Sequence, residues 1–151
     1  VLERVRVTDN YPVRWPDDPS RWLSPRGTGC AWVAEVEGRI VGHVVLLTVA
    51  AGTADWLAAT GLHADDVGVI SRLFVDPDRR RAGVGGTLLD TASTEAVARG
   101  LHPVLDLIAT GPSATRLYEQ RGWRRVLTKP WPTDVELSHH FYVGPKSDNV
   151  P

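Results

Sequence analysis

The sequence has 151 residues, a formal net charge of −1 and 42% hydrophobic residues, so we expect one domain over residues 1–151. The balanced charge indicates neither a nucleic-acid-binding nor an anionic-membrane-binding surface, and no apolar run approaches the roughly 18 residues that span a bilayer. One cysteine excludes an internal disulfide and a metal cluster built on several thiolates. We therefore expect a cytoplasmic protein that uses no metal. Nearly all basic residues are arginine, a bias typical of GC-rich bacterial genes.

The N-terminal part of the sequence predicts a helix followed by a long loop. Residues 1–8 have the apolar spacing of the end of an amphipathic helix. Residues 10–28 contain several prolines, which remove hydrogen-bond donors and fix the backbone, and they therefore predict an ordered loop. Trp15 and Trp22 lie in this loop and carry more apolar area than a solvated linker needs.

Hydrophobic periodicity and turn signals predict the remaining elements. Two β-rich runs flank Glu37-Gly38, which predicts a hairpin, and a helical pattern stops at Gly100, which suits a helix end. The expected elements are strands over residues 30–37 and 39–50, a short helix over 54–60, a strand over 67–75, a helix over 84–99, a strand over 103–109, a helix over 113–120, and strands over 123–127 and 136–143 joined by a proline-rich turn. Early hairpins and later helical crossovers favour a mixed sheet. The polar residues 144–151 are expected to form a flexible tail.

A glycine-rich turn follows the strand at residues 67–75 and leads directly into a helix. It reads Arg80-x-x-Gly83-x-Gly85 within LFVDPDRRRAGVGGTLLDTA. The first amide groups of a helix have no intrahelical acceptor, and the helix dipole adds positive charge, so such a turn suits a phosphate group. Three consecutive arginines at residues 79–81 add forked donors for the same ligand.

Other phosphate-binding motifs fit this turn poorly. A P-loop ends in Gly-Lys-Ser/Thr, and no such ending is present. A dinucleotide fingerprint needs a third glycine after G-x-G-x-x, whereas this turn continues as Gly86-Thr87-Leu88. The turn by itself leaves open that its glycines serve only tight helix packing.

Two motifs together resemble the GNAT superfamily of N-acetyltransferases. The superfamily has Arg/Gln-x-x-Gly-x-Gly/Ala between its fourth strand and third helix, and its next block reads A-x-x-LYEKxGF where this sequence has LYEQRGW. The resemblance covers about residues 30–143. It implies an α/β (α+β) fold with a mixed, mostly antiparallel twisted sheet, flanked by helices and splayed between the family's fourth and fifth strands. It also implies a strand ahead of Val1, so we expect this chain to lack the family's N-terminal strand, and a homodimer would be one way to cover the edge.

The resemblance implies acetyl-CoA as co-substrate and no metal. Backbone amide groups of the turn would hold the pyrophosphate, and the end of the preceding strand would bind the pantetheine arm by β-augmentation. Thr110 stands where the family often has an asparagine facing the pantetheine, which is a departure from the pattern. The residues implied to bind coenzyme A are Leu73, Phe74, Val75, Arg80, Arg81, Ala82, Gly83, Val84, Gly85, Gly86, Thr87, Thr110 and Ser113.

Tyr118 is the implied general acid. It matches the family tyrosine near the thioester sulfur, where it would protonate the departing thiolate. A thiolate is a fair leaving group because thiol pKa values lie near 8.5, so this acid helps the reaction without being essential. The alternative is that Tyr118, in a helical Leu-Tyr-Glu context, only packs in the core.

The general base is harder to assign from the sequence. An amine with a pKa near 10.4 is mostly protonated at neutral pH, so a base is expected. The family often uses a glutamate on the fourth strand, but this strand reads VGVISRLFV and has no carboxylate. His43 is the candidate base because the ordinary histidine pKa suits proton transfer near pH 7. The alternatives are Glu35, Asp65 and Asp66 as bases, and Ser71 and Arg72 lining the site, with Arg72 binding an acceptor carboxylate.

The resulting hypothesis is acetyl transfer from acetyl-CoA to a primary amine of a small molecule or peptide, by direct attack in a ternary complex. The alternatives are a non-catalytic acyl-CoA-binding sensor or partner-binding module, and a nucleotide-binding protein unrelated to coenzyme A. The acceptor pocket or simple packing could involve Trp15, Trp22, Trp56 and Trp131. Cys30 as a covalent acyl carrier has no base placed beside it. His139-His140 is a poor metal pair, because adjacent strand residues point to opposite faces.

Overall fold

The computed structural model describes residues 1–24, 29–48 and 54–146. The helices are α1 (Leu2–Asp9), α2 (Pro19–Leu23), α3 (Ala54–Thr60), α4 (Val84–Ala98) and α5 (Pro112–Gln120). The strands are β1 (Gly29–Val36), β2 (Arg39–Leu47), β3 (Val67–Val75), β4 (His102–Ile108), β5 (Arg124–Trp131) and β6 (Asp134–Val143). Single 3-10 turns at Ala64–Asp66 and Pro77–Arg79 flank β3. None of the described helices is long and apolar enough to cross a membrane.

The strands form one mixed sheet in the order β1-β2-β3-β4-β6-β5. Neighbouring strands are antiparallel except β3 and β4, which are parallel. The register of β3 with β4 joins residues 67–69 to residues 102–104, at the start of both strands. Beyond these pairs the described parts of β3 and β4 have no further register partners with each other. The mixed, mostly antiparallel sheet and its splay therefore confirm the expected fold.

Helices cover both faces of the sheet because the strand residues alternate in direction. On one face, α4 and α5 pack on strand residues that include Leu46, Ile70 and Tyr142. On the other face, α3 inserts Trp56 against Phe141 and its neighbours. Helix α1 packs on this second face beyond α3, where its buried side chains contact Phe74. The end of β3 consequently lies between α4 on one side and the α1–α2 segment on the other.

The loop expected over residues 10–28 contains a helix that was not predicted from the sequence. Helix α2 begins after Asp18, whose carboxylate accepts a hydrogen bond from the amide of Arg21 at 3.0 Å. Pro19 occupies the first helical position, where its missing N–H costs nothing. The proline content therefore indicated a helix start as much as a loop. Residues 25–28 of this segment lie outside the described part of the chain.

The prediction of a proline-rich turn between the last two strands is wrong. Strand β5 continues through Pro130, which pairs in register with Ser138, and it ends at Trp131 opposite Asp134. Proline is tolerated because β5 is the edge strand of the sheet, so its missing N–H interrupts no ladder. At the C-terminus, the amide of Gly144 donates to the carbonyl oxygen of Pro103 at 2.8 Å. The rest of the expected tail, residues 147–151, lies outside the described residues.

Candidate active site

The turn between β3 and α4 presents free amide groups at the start of a helix. Gly83 is the N-cap with a φ of 80°, a left-handed conformation that glycine adopts without strain. The first intrahelical bond of α4 is donated by the Thr87 amide to the Gly83 carbonyl oxygen at 3.0 Å. The amide groups of residues 84–86 precede this bond and point out of the helix start. They form a site for an anionic oxygen, aided by the helix dipole.

The three arginines of the turn have different roles. Both Nη atoms of Arg80 contact the carboxylate of Asp9 at the end of α1. Arg79 pairs with the exposed Glu37 at 3.1 Å. Arg81 is exposed, has a φ of 65°, and makes no ion pair with any described residue. Arg81 is therefore the side chain of this trio that is available for a ligand, whereas the Arg80 side chain fastens α1 to the turn.

Helix α1 is fixed to the same turn from its other end. Arg4 donates to Asp76 at 2.9 Å and to Asp78 at 2.5 Å. Asp76 is buried, and it also caps the 3-10 turn by accepting from the Asp78 amide at 3.1 Å. Two ion-pair groups, one around Asp76 and one at Arg80, thus hold α1 across the exit of β3.

A further cation lies at the first turn of α4. The guanidinium of Arg121 covers Gly86, where an added Cβ would lie 1.7 Å from its Nη2 atom. Arg121 is oriented by Asp90, which accepts from its Nε at 3.0 Å. This arginine follows α5 in the LYEQRGW block, so the two motifs of the sequence meet at the helix start. Arg121 was not predicted from the sequence, because its contact depends on the packing of α5 against α4.

The end of β3 carries an open backbone edge beside this helix start. Leu73 and Val75 point toward the α4 and α5 side, and a Cβ added at Gly85 would lie 3.4 Å from Cγ2 of Val75. Phe74 points to the opposite face, where its ring stacks on His43 at a centroid distance of 5.2 Å. Because the register with β4 ends at Val69, the β4-facing edge of these residues has no strand partner in the described part of the chain and can pair with an extended ligand. The carbonyl oxygen of Val75 already accepts a weak hydrogen bond from Nη2 of Arg80 at 3.4 Å.

A β-bulge interrupts β3 just before this edge. The register passes from His43↔Phe74 to Val45↔Ser71, so that two residues of β3 face one residue of β2. Arg72 lies in the bulge with a φ of 55°. Its carbonyl oxygen is 3.0 Å from Nδ1 of His43, and the Nε2 atom of the same ring is 3.0 Å from the carbonyl oxygen of Leu23. His43 therefore joins β2 to the bulge and to α2.

This geometry argues against the general-base role considered for His43. Its ring is buried, and both nitrogens face backbone carbonyl oxygens, which only accept hydrogen bonds. A neutral imidazole has one N–H and satisfies one carbonyl, whereas the imidazolium satisfies both. Neither ring nitrogen is directed at a substrate in this arrangement. His43 acts here as a structural link that positions Arg72.

Tyr118 lies in the core cluster against which Leu73 and Val75 of this edge pack. Its ring is 7% exposed and packs against Trp123 and Tyr142 at centroid distances of 6.1 and 5.6 Å. Burial raises the pKa of the Tyr118 hydroxyl, and the nearby charges of Asp106 and Tyr142 raise it further. A tyrosine in this environment keeps its proton at neutral pH, so it can donate but not accept one.

Tyr11 is a residue of this region that was not predicted from the sequence. Its ring packs against Trp22 and Phe74 at centroid distances of 6.2 and 6.5 Å. Burial raises the pKa of Tyr11, the charges of Tyr118 and Asp106 raise it further, and Arg72 lowers it. Tyr11 therefore belongs to a group of packed rings in which Trp22 contacts Arg72 and Phe74 contacts His43. The sequence signal was weak, because Tyr11 stands alone between two elements.

Asp106 and His139 form a carboxylate–imidazole pair between the neighbouring strands β4 and β6. The Oδ2 atom of Asp106 on β4 is 2.6 Å from Nε2 of His139 on β6. The imidazole lies against the rings of Trp131 and Phe141, at centroid distances of 5.1 and 4.2 Å. A carboxylate bonded to one ring nitrogen orients the imidazole and leaves Nδ1 as the other proton-binding atom. From the sequence, His139 was considered only as half of a poor metal pair.

None of the remaining sequence candidates forms a hydrogen bond with Asp106 or His139 among the described residues. Trp56 is buried in the core and donates from Nε1 to the Leu105 carbonyl oxygen at 3.2 Å. Asp65 and Asp66 are exposed in the 3-10 turn at the opposite end of β3. The other exposed or outlying candidates are Trp15, Glu35, Thr110 and Ser113 at the surface, Thr87 at the outer side of α4, and Cys30, whose Sγ is 2.8 Å from Nη2 of Arg99.

Solved structures of the same fold class are similar to this chain. The ribosomal-protein-S18-alanine N-acetyltransferase of Escherichia coli aligns with a TM-score of 0.67 and 19% identity, covering 99% of this chain and 92% of that one. A Bacillus anthracis protein, described as a streptothricin acetyltransferase by similarity and solved with acetyl coenzyme A, aligns with a TM-score of 0.64 and 16% identity, covering 84% and 68%. At these identities the likeness shows the N-acetyltransferase fold alone.

The chain belongs to the acetyltransferase (GNAT) family, whose sequence model it matches over residues 4–123. It is 34% identical over 110 residues to N-acetyltransferase 8 of Homo sapiens, covering 72% of this chain and 44% of the relative. It is 30% identical over 116 residues to the N-acetyltransferase camello of Xenopus tropicalis, whose name is given as probable, covering 76% and 48%. The chain thus spans about half the length of the curated relatives that it matches.

Proposed function

We propose that this protein transfers the acetyl group of acetyl-CoA to a primary amine of a small molecule or peptide, by direct attack in a ternary complex. The observation that carries this proposal is the position of the α4 helix start beside the open edge of β3, with Tyr118 in the core cluster against which that edge packs. A phosphate site, an extended backbone edge and a proton donor in this order match the three parts of an acyl-CoA thioester. Membership in the acetyltransferase family supports the same assignment.

Coenzyme A binding would use the chain's own backbone first. The amide groups of residues 84–86 would hold the pyrophosphate, with Arg81 and Arg121 as flanking cations. The backbone of residues 73–75 would pair with the amide groups of the pantetheine arm, as an added strand does. The thioester would then lie near the splay of β3 and β4, within reach of Tyr118.

The chemical step exchanges a C–S bond for a C–N bond. The neutral amine attacks the thioester carbonyl carbon, and collapse of the tetrahedral intermediate releases the coenzyme A thiolate. Tyr118 donates its proton to that sulfur as the C–S bond breaks, and its phenolate then regains a proton from water, so that the hydroxyl is restored for the next turnover. The raised pKa keeps Tyr118 protonated between turnovers. The proton lost by the amine goes to a base on the acceptor side and then to water.

We assign that base to the Asp106–His139 pair. The pair lies on the same face of the sheet as Phe141, which is the face opposite to α4 and α5, and the charge of Asp106 contributes to the raised pKa of Tyr11 and of Tyr118. With Nε2–H of His139 directed at Asp106, Nδ1 can accept a proton from the amine or from a bridging water. This pair replaces the β3 carboxylate that is absent from VGVISRLFV.

A non-catalytic acyl-CoA-binding module is the second candidate. It is favoured by the core packing of Tyr118 and by the structural role of His43. The two functions are separated by a thiol-release assay with acetyl-CoA and a panel of primary amines, together with calorimetric titration of coenzyme A. Amine-dependent thiol release supports the transferase. Tight coenzyme A binding without release on any amine supports the module.

A further inference from the structure

The guanidinium of Arg72 is a cation without a counter-ion in the described part of the chain. It lies 5.1 Å from the centroid of the Trp22 ring. Its Nη1 atom is buried and has no hydrogen-bond partner among the described residues. None of the ion pairs in those residues includes Arg72. A buried donor of this kind is rare in folded proteins and calls for a partner.

Burial makes this unpaired charge unfavourable. Desolvation lowers the pKa of Arg72, and the neighbouring Tyr11 partly opposes that effect. Arginine nevertheless stays charged in proteins, so the guanidinium remains a cation here. A bound anion would supply the missing charge at this partly exposed guanidinium, and the interaction would be strong because the site is partly shielded from water.

The backbone of Arg72 is held in place relative to the reaction site. The bulge fixes its main chain, and His43 contacts its carbonyl oxygen at 3.0 Å. The ring of Trp22 supports the guanidinium from α2, and Tyr11 packs against both Trp22 and Phe74. The cation therefore lies on the α1–α2 side of the end of β3, and its charge acts on the pKa of Tyr11 with the opposite sign to that of Asp106.

We propose that Arg72 binds a carboxylate of the acceptor, and that the acceptor is a free α-amino acid or a derivative that keeps its α-carboxylate. The inference rests on the proposed acetyl transfer and names its substrate class. An α-amino acid carries a positive amine and a negative carboxylate on the same carbon. Asp106 attracts the amine end toward the base, and the planar fork of Arg72 matches the carboxylate end. A phosphate dianion fits less well, because Arg72 is a single cation and Asp106 lies nearby.

The test compares matched acceptors that differ only at the carboxylate. Alanine, leucine and phenylalanine are each assayed beside the corresponding amino-acid amide and decarboxylated amine, with acetyl-CoA saturating. We expect kcat/KM to be higher for the amino acids, by roughly 30-fold or more for the preferred side chain. The Arg72→Gln variant should lose that preference while keeping the rate with the amide and the amine. Arg39→Gln, at an exposed position of β2, should keep the wild-type preference.

Three outcomes would overturn the proposal. One is equal kcat/KM for the amino acids and their amides in the wild type. Another is an equal loss on all acceptors in Arg72→Gln with a lowered melting temperature, which would assign Arg72 to packing on Trp22. The third is preferred turnover of peptides with an amidated C-terminus, which would keep the acetyl transfer but reject the amino-acid acceptor.

A binding measurement tests the carboxylate site at Arg72 separately from turnover. The amino acids are titrated calorimetrically into protein saturated with coenzyme A, where no acetyl group can be transferred. Binding to the wild type that is lost in Arg72→Gln supports the carboxylate site even if no amine is acetylated. Absence of binding to the wild type, with acetylation of other amines intact, rejects the carboxylate site and leaves the proposed function standing.

Discussion

Asp106 and His139 join β4 to β6 on the face of the sheet that packs against α3, through a contact of 2.6 Å between Oδ2 and Nε2. In the register of these antiparallel strands, Asp106 is opposite Phe141, so His139 is its diagonal neighbour on the same face. The side chain of Asp106 is 39% exposed and that of His139 is 16% exposed, as fractions of each free side chain. The carboxylate is thus accessible, while the imidazole is held between aromatic rings.

The Asp106→Asn and His139→Asn variants should each lower kcat strongly. Loss of a general base typically costs about 10²- to 10⁴-fold, and the KM for acetyl-CoA should change little because neither residue lies at the α4 helix start. Steady-state thiol release with a turned-over amine measures this. Glu136→Gln, at an exposed position of β6, is the matched control and should behave as the wild type. Full activity of Asp106→Asn would remove the pair from the mechanism.

The Tyr118→Phe variant should lower kcat by about 10-fold or more, because the thiolate then leaves without a proton donor. Burial raises the pKa of the Tyr118 hydroxyl, so the wild-type pH–rate profile should show no inflection from this group below pH ~10. The variant should therefore keep the shape of the profile at a lower rate. Tyr142→Phe is the control, since Tyr142 packs beside Tyr118. An unchanged kcat in Tyr118→Phe would leave Tyr118 a core residue.

The free energy of unfolding should fall at high pH because Tyr118 and Tyr11 are buried. Burial raises the pKa of Tyr118 above the ordinary value of 10.0, and it does the same for Tyr11. Between about pH 10 and these raised values, the unfolded chain has lost protons that the folded chain keeps. The unfolded state then binds fewer protons, so the free energy of unfolding decreases as pH rises.

Urea unfolding at pH 9, 10 and 11 measures how the free energy of unfolding depends on pH. The free energy of unfolding should be nearly constant up to about pH 9 and then decrease. The decrease should be shallower in Tyr118→Phe, which has one buried hydroxyl fewer. An equally steep decrease in the variant would show that Tyr118 titrates normally in the folded protein.

The Arg81→Gln variant should raise the KM for acetyl-CoA by roughly 10-fold, through loss of a charged donor to phosphate. Arg79→Gln is the matched control, because Arg79 has the same charge and the same turn but pairs with Glu37. It should leave KM close to the wild-type value. Calorimetric titration of coenzyme A gives the same comparison without turnover. Equal effects of the two substitutions would indicate that general positive charge, and not Arg81, determines binding.

The fold and the position of the glycine-rich turn before α4 could be predicted because their signals are local in the sequence. The glycines at residues 83–86 and the strand before them are contiguous, and the order of hairpins and crossovers specifies a mixed sheet. The end of β5 was harder to predict, because Pro130 is incompatible with a central strand but not with an edge strand. Whether β5 lies at the edge depends on the topology of the whole sheet.

The acceptor side could not be predicted, because its residues meet only through tertiary contacts. Asp106 and His139 are brought together by the β4–β6 register. Arg80 likewise contacts Asp9, which lies 71 residues earlier at the end of α1. Local chemistry pointed to His43, a strand histidine of suitable type. Both of its ring nitrogens contact backbone carbonyl oxygens, one of Arg72 on β3 and one of Leu23 on α2. These contacts depend on the tertiary structure, so they could not be predicted from the sequence.

The most direct test of acetyl transfer follows the acetyl group itself. Protein is mixed with acetyl-CoA labelled in the acetyl group and an amine, and the label and the free thiol are both quantified over time. The proposed mechanism predicts one thiol released for each labelled N-acetyl amine formed, with no label on the protein and no release without amine. Label retained on the protein, release that does not depend on the amine, or coenzyme binding without any transfer across the amine panel would contradict it.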